Sequence, residues 1–381
     1  MNWRVPLSDL DYGPEEEQAV LDVLHSKWLT MGGVTQEFET AFAQMSGAKH
    51  AIAVSNATQA LHLACLACGV GPADEVIVPS LSFVATANAV LYCGADVRFA
   101  DIVSQQDLTV DPTSIEQRIT QKTKAIIPMH YAGYPCQMPE IMRLAEEYNL
   151  MLIEDAAHAP GATLDGKALG TWGDIGCFSF FSNKNLPTGE GGMLLTDQDD
   201  LAEKLRLMRS HGMTSLTYDR HKGHAFSYDV VSLGYNYRID EIHSALGLAQ
   251  LEKLPENNNK RREWTQTYWD ALSDTHLKLP FRESTRGVSA HHIFPVLLPE
   301  GTNRHSFMTS LRDAGVQSSI HYRPIHTFSY YQAKYGAQSL PITDSVAARE
   351  VTLPLYPTMG EEKLEIVVEA IKASFKKFLN E

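Results

Sequence analysis

Hydrophobic positions along this 381-residue chain recur with two alternating periods. PEEEQAVLDVLHS (14–26) and TQEFETAFAQMSG (35–47) have helical spacing, with acidic residues in their first turns. HAIAVS (50–55) is a short apolar run that reads as a buried strand, and TQALHLACLACG (58–69) returns to the helical period and stops on glycine. EVIVPS (75–80) and FVATANAVLYCG (83–94) repeat the pair. Further apolar strands follow at 96–101, 124–130 and 150–155, with helical patterns at 112–120 and 137–149 between them. This alternation predicts an α/β fold, a mostly parallel sheet flanked by helices on both faces. Ligands of such sheets gather beyond the carboxyl ends of the strands.

The rhythm changes near residue 175. GCFSFFS and GGMLLTD read as two strands joined by a short glycine-containing turn, a hairpin-like excursion. A polar stretch, 213–235, precedes a long helical pattern from Arg238 toward Leu272 that suits a connector between domains. Beyond it lie the strand HHIFPVLLP, the helix RHSFMTSLRDAG, the strand VQSSIHYR and a last helix over 361–379. The expected division is a large domain over 1–250 and a smaller α+β domain over 251–381.

A net charge of −14 disfavours nucleic acid or an anionic membrane as the main partner, so an anionic substrate needs a local basic patch. The five cysteines are odd in number and lie mostly in apolar surroundings, as reduced thiols in a cytoplasmic protein do. Cys65 and Cys68 form a lone C-x-x-C inside an apolar helix, and no second pair completes a metal site. MNWRVPLSDLDYG is unlike a signal peptide, and no apolar run is long enough to span a membrane. Gly161 and Gly166-Lys167 have P-loop spacing, but Ala168 stands where that loop needs Ser or Thr, so a surface loop is expected.

Four stretches carry candidate chemistry. In FSFFSNKNLPTGEGG, Lys184 follows aromatic residues that can desolvate its amine and favour the neutral nucleophile, which condenses with aldehydes. Gly189, Gly191 and Gly192 allow close backbone approach there. In IEDAAHAPG, Glu154 and Asp155 end an apolar strand; a carboxylate at that point needs a cationic partner such as a protonated pyridine, or else caps the next helix. His158 is either a core histidine or a group beside a cofactor. SNATQALH opens a helix whose free amides suit a phosphate, and Phe83 follows a strand end where a ring can stack on a heterocycle. Each has an ordinary structural explanation alone. Together they meet the needs of pyridoxal 5'-phosphate.

On these residues, and on WLTMGGVTQEFE, AIIPMHYAGYP, LGYNYRIDEIHSALGLAQLEKL and HYRPIH, nearly the whole chain resembles the DegT/DnrJ/EryC1/StrS sugar aminotransferases. The resemblance implies an aspartate aminotransferase-like large domain and a homodimer with active sites at the subunit interface. It implies that Lys184 is the Schiff-base lysine and proton shuttle, that Asp155 binds the pyridine nitrogen, and that His158 approaches the cofactor hydroxyl. Ala57, Thr58 and Ser179 would contact the phosphate, Phe83 would stack on the ring, and Asn236 would reach the neighbouring subunit's cofactor. Ala57 replaces a commoner glycine but keeps its N–H. A related dehydratase branch has histidine in place of the lysine, so Lys184 favours transamination.

The reaction so implied moves an amino group from glutamate to a nucleotide-diphosphate-linked keto sugar, with a lean toward C4. Arg209, His211, Arg220, His221, Lys222 and His224 form a local basic excess; Arg220, Lys222 and Arg238 are candidates for the diphosphate path, against a solvated loop. His321, Arg323 and His326 of HYRPIH are further substrate candidates. Two rival readings share the cofactor residues: a keto-cyclitol aminotransferase, and a non-catalytic sensor of pyridoxal phosphate or a nucleotide sugar. Glu190 receives a turn and no chemistry.

Overall fold

The structure, a computed structural model, describes residues 3–214 and 227–378. Helices α1 (Pro14–Ser26) and α2 (Gly33–Ser46) lead into a seven-stranded sheet ordered β1-β9-β8-β5-β4-β2-β3. Its strands are β1 (His50–Val54), β2 (Glu75–Pro79), β3 (Asp96–Ala100), β4 (Thr123–Ile126), β5 (Met151–Asp155), β8 (Ile175–Ser179) and β9 (Gly192–Thr196). β9 runs antiparallel to both of its neighbours, β1 and β8, while the pairs from β8 across to β3 are parallel. The carboxyl ends of β1, β2, β5 and β8 therefore open on one edge, where β9 begins. The expected mostly parallel sheet is present.

Helices α3 (Ala57–Ala67), α4 (Ala85–Tyr92) and α7 (Asp199–Arg209) contribute to the apolar core on one face of the sheet. Helix α2, together with α5 (Pro112–Glu116) and α6 (Met138–Tyr148), contributes to the core on the other face. All five cysteines are buried, Cys65 and Cys68 within the first of these cores. Residues 163–168 form a tight two-stranded hairpin, β6 (Thr163–Leu164) with β7 (Lys167–Ala168), so the P-loop-like spacing belongs to a β-turn. No helix among the described residues is long and apolar enough to cross a membrane.

Strand alternation explains the aromatic run before Lys184. Phe178 and Phe180 share one face and pack on α2, with ring centroids 5.0 Å from Phe42 to Phe178 and 5.3 Å from Phe38 to Phe180. Ser179 and Phe181 take the other face, toward the open edge. The expectation that these aromatics desolvate the lysine amine is therefore corrected for Phe178 and Phe180, whose rings point away from it. The connection from β8 to β9 is also not a short turn: residues 180–191 leave the sheet and return, carrying Lys184.

The connector helix α8 (Glu241–Ala271) lies against α1 and α2 and continues into a second core. Leu251 and Leu254 pack into the core on the α2 face of the sheet, although they lie beyond residue 250, whereas Tyr268 belongs to the second core. That second core is built on β10 (Phe294–Leu297) paired with β11 (Glu350–Leu353), and on the C-terminal helix starting at Gly360. Two features differ from the sequence reading. Val5, from the N-terminus, is buried in the second core and bridges to Val316. Residues 316–323 make isolated bridges rather than a strand, and β11, which the apolar pattern did not reveal, supplies the pairing instead.

Because Phe42 anchors both Phe178 and Phe180, Phe42→Ala should cost about 3–5 kcal/mol. A urea titration measures this as a fall in midpoint at unchanged slope.

Candidate active site

A cavity of about 640 Å³ opens at the carboxyl edge of the sheet, within the ordinary range for a small-molecule site. It brings together Ala57, Thr58, Phe83, Asp155, His158, Ser179, Lys184 and His321, with Glu190 at its wall.

Asp155 ends β5. Alternation sends its neighbour Glu154 to the opposite face, where Glu154 accepts hydrogen bonds from the amides of Gly170, Trp172 and Gly173 at 2.6–2.8 Å and pairs with His130 at 2.9 Å. Glu154 thus holds a loop together, while Asp155 faces the cavity. Asp155 accepts from Thr86 Oγ1 at 2.7 Å and from the Ala157 amide at 3.2 Å. Burial pushes its carboxyl above the usual carboxylate range, against those two hydrogen bonds. Asp155 makes no ion pair with any described residue, and a buried carboxylate in that condition fits a cationic ligand.

Lys184 sits on the excursion between β8 and β9, its amide bonded to Phe181 O at 2.8 Å. Burial lowers its ammonium to about 8, with the Asp155 charge pulling the other way. A substantial neutral fraction at neutral to mildly alkaline pH makes it a competent amine nucleophile.

The start of α3 forms a third wall. Asn56 caps the helix by accepting from the Gln59 amide at 2.9 Å, and the Ala60 amide bonds Asn56 O at 3.1 Å. The amides of Ala57 and Thr58 have no helical acceptor, as first-turn amides do not, and the positive end of the helix faces the cavity. Gly192 lets this happen. A Cβ there would lie 2.6 Å from the carbonyl carbon of Asn56 and 2.8 Å from the amide of Ala57. Ser179, 7% exposed, adds a hydroxyl beside this helix start.

His158 is buried, and its polar contacts fix its proton. The Ala132 amide donates to Nδ1 at 3.2 Å, so in the neutral ring Nε2 carries the hydrogen and donates to Tyr322 Oη at 2.9 Å. Burial, reinforced by Lys184 and His321, holds the ring well below the usual histidine range, hence neutral. Tyr322 is left with its own proton to donate. Phe83 is 56% exposed, and its ring lies 6.1 Å from that of Tyr322 across the cavity mouth.

The remaining sequence candidates separate. His321 lines the cavity, its Nδ1 bonded to Thr352 Oγ1 at 2.8 Å. Arg323 and His326 do not line it: Arg323 turns to Thr327 and the Phe328 ring, and His326 bonds Ser80 at 2.7 Å and Asp344 at 3.1 Å. Arg209, counted in the basic excess, is buried and pairs with Glu39 and Ala53 O, a structural role. Arg238 is half-buried and Asn236 exposed, both outside this chain's cavity wall. Arg220 and Lys222 lie outside the described residues.

Sequence reasoning missed Asn56, Thr86, Tyr322 and His292. All four stood inside quoted stretches, but His292, whose Nε2 is 3.5 Å from Lys184 Nζ, lies 108 positions away from it, and no local pattern pointed to the pairing.

A buried carboxylate without a cation, a nucleophilic lysine and a helix start with free amides match the pyridine nitrogen, aldehyde and phosphate of pyridoxal phosphate. Comparison with known proteins agrees. The family model described as the DegT/DnrJ/EryC1/StrS aminotransferase family matches residues 11–372. The spore coat polysaccharide biosynthesis protein SpsC of Bacillus subtilis is 39% identical over 368 residues, covering 94% of each chain. Helicobacter pylori PseC, an aminotransferase involved in the biosynthesis of pseudoaminic acid, superposes with a TM-score of 0.92 at 31% identity, covering 98% of this chain and 99% of that one. Spr1654 of Streptococcus pneumoniae, solved in its PLP form, superposes with a TM-score of 0.90 at 26% identity, covering 98% of this chain and 99% of that one. The site and matches that run almost end to end place the chain in the DegT/DnrJ/EryC1/StrS aminotransferase family, as a pyridoxal phosphate-dependent sugar aminotransferase.

Proposed function

We propose that the protein transfers an amino group from glutamate to C4 of a nucleotide-diphosphate-linked keto sugar in polysaccharide biosynthesis. The observation that carries the amino-transfer chemistry is the pairing of Lys184 with Asp155 in one cavity beside the α3 helix start. Placement in polysaccharide biosynthesis is supported by kinship with SpsC, and the aminotransferase reading by kinship with PseC; the nucleotide-diphosphate handle rests on the local basic excess with Arg220, Lys222 and Arg238.

In this reading Ala57, Thr58 and Ser179 hold the phosphate through amides and a hydroxyl. Asp155 keeps the pyridine nitrogen protonated, steadied by Thr86, whose hydroxyl is itself bonded to Ser82 at 2.7 Å. Phe83 covers one face of the ring. His158, neutral and locked through Ala132 and Tyr322, presents a fixed ring beside the cofactor hydroxyl. Bound pyridoxal phosphate supplies the electron sink for the carbon that loses its proton. Lys184 Nζ takes that proton and returns it, and its depressed ammonium suits the exchange. His321 and Tyr322 reach the acceptor sugar from the second domain.

The site is completed by a second copy of the chain. Asn236 is exposed, as a residue serving a neighbouring subunit's cofactor must be in a single chain. Leu233, Val230 and Val231 beside it are more than half exposed, an apolar surface suited to burial in a homodimer. The basic residues Arg220, Lys222 and Arg238 are assigned to the diphosphate path.

Asp155→Asn should leave the fold intact and slow the half-reaction with glutamate by about 10²–10³-fold, the scale of losing one preorganised charge. Stopped-flow absorbance of the glutamate half-reaction measures this. In cofactor-free protein, acylation of Lys184 should rise as pH passes through about 8, since the neutral amine reacts and predominates above that value. A flat profile from pH 7 to 10 contradicts the assigned nucleophile. A panel of keto-sugar nucleotides with glutamate, read by product mass and NMR, should give a 4-amino sugar. Free UDP or TDP should compete with the acceptor; its failure to do so would favour a keto-cyclitol acceptor.

A further inference from the structure

Behind Lys184 lies a chain of hydrogen bonds whose direction is set at its far end. Asn258 Nδ2 meets the Pro160 carbonyl at 2.9 Å, and a carbonyl only accepts, so Asn258 Oδ1 points the other way. It receives Asn185 Nδ2 at 2.8 Å, and the same nitrogen reaches the Ala290 carbonyl at 2.7 Å. Two acceptors at one end of the Asn185 amide leave its oxygen facing His292 Nδ1, at 2.9 Å. That ring nitrogen must carry the hydrogen. The neutral ring then has its lone pair on Nε2, the atom 3.5 Å from Lys184 Nζ.

The surroundings preserve this state. His292 is 3% exposed and Asn185 4%, so no bulk water competes for either. The ring of His158 lies against His292, with centroids 4.2 Å apart. Burial first, then the nearby cationic side chains of Lys184 and Arg261, keep His292 well below the usual histidine range. It accepts a hydrogen bond and does not hold the proton itself.

We propose that His292 is a positioning residue that receives the Lys184 amine when that amine is not covalently engaged, with Asn185 and Asn258 fixing the tautomer that makes this possible. The amine then has two stations, the cofactor and His292 Nε2. The second keeps a flexible side chain from wandering, so that its Nζ returns to the reacting carbon. The inference rests on the assignment of Lys184 as the reactive lysine, and its test in cofactor-free protein separates the two.

The first measurement is ¹⁵N NMR of histidine-labelled, cofactor-free protein, with His292 assigned by its loss in His292→Gln. The ring should be neutral with the hydrogen on Nδ1, and Nε2 should shift in Lys184→Ala. A hydrogen on Nε2, or no response to Lys184→Ala, overturns the proposal. The second is competitive acylation of Lys184, read by mass spectrometry against pH. Asp155, His158 and His321 also face this amine and are left unchanged. His292→Phe keeps the ring volume but removes the acceptor, and should lower the apparent Lys184 pKa by about one unit. His292→Gln, whose amide oxygen reaches the same place, should restore it. A purely structural role predicts no Lys184 shift in a folded His292→Phe protein, and that result also overturns the proposal. If Phe unfolds the chain, the NMR arm on the wild-type protein decides alone.

Discussion

The structure turns on a carboxylate buried without an ion-pair contact among the described residues. Asp155 stands buried at the end of a central strand, and no described side chain makes an ion pair with it. Burial outweighs two hydrogen bonds, from Thr86 and from the Ala157 amide, and the more distant Lys184 and His130 charges, and raises its carboxyl above the usual range. Such a group is retained when a ligand supplies the missing charge. Once that ligand is a protonated pyridine, the remaining walls follow. A helix start is needed at the phosphate, an amine at the aldehyde and a ring on the heterocycle face.

Parity along the strands delivers this arrangement. One residue of register separates Glu154, which braces a loop, from Asp155, which faces the cavity. One residue also separates Phe180, in the core, from Phe181, in the cavity wall. A slip in β5 or β8 would exchange these roles. The reversed strand β9 serves the same end. It lets the chain leave the sheet after Ser179, present Lys184, and return at Gly192 against the start of α3.

Local features were legible in the sequence. The strand ends carrying Asp155 and Ser179, the α3 start with Ala57 and Thr58, and the lysine between aromatics and glycines all announce themselves by short-range pattern. What stayed hidden depends on distant pairing. His292 meets Lys184 across 108 positions and Tyr322 meets His158 across 164, and no periodicity encodes either. The burial of Val5 in the second core is equally non-local. The HYRPIH motif shows the limit from the other side. Its His321 and Tyr322 reach the cavity, while Arg323 and His326 are engaged in holding their own segment in place. Composition marks such a motif as polar and aromatic but does not say which members face inward.

The central claim is that Lys184 is the single amine that engages the cofactor covalently. Reduction with borohydride in the presence of pyridoxal phosphate, followed by digestion and mass spectrometry, locates that bond directly. One fixed pyridoxyl group is expected, on Lys184, and it should be absent when Lys184→Ala is treated in the same way. A stoichiometric group on any other lysine, or an unlabelled Lys184 in protein that has bound the cofactor, would contradict it.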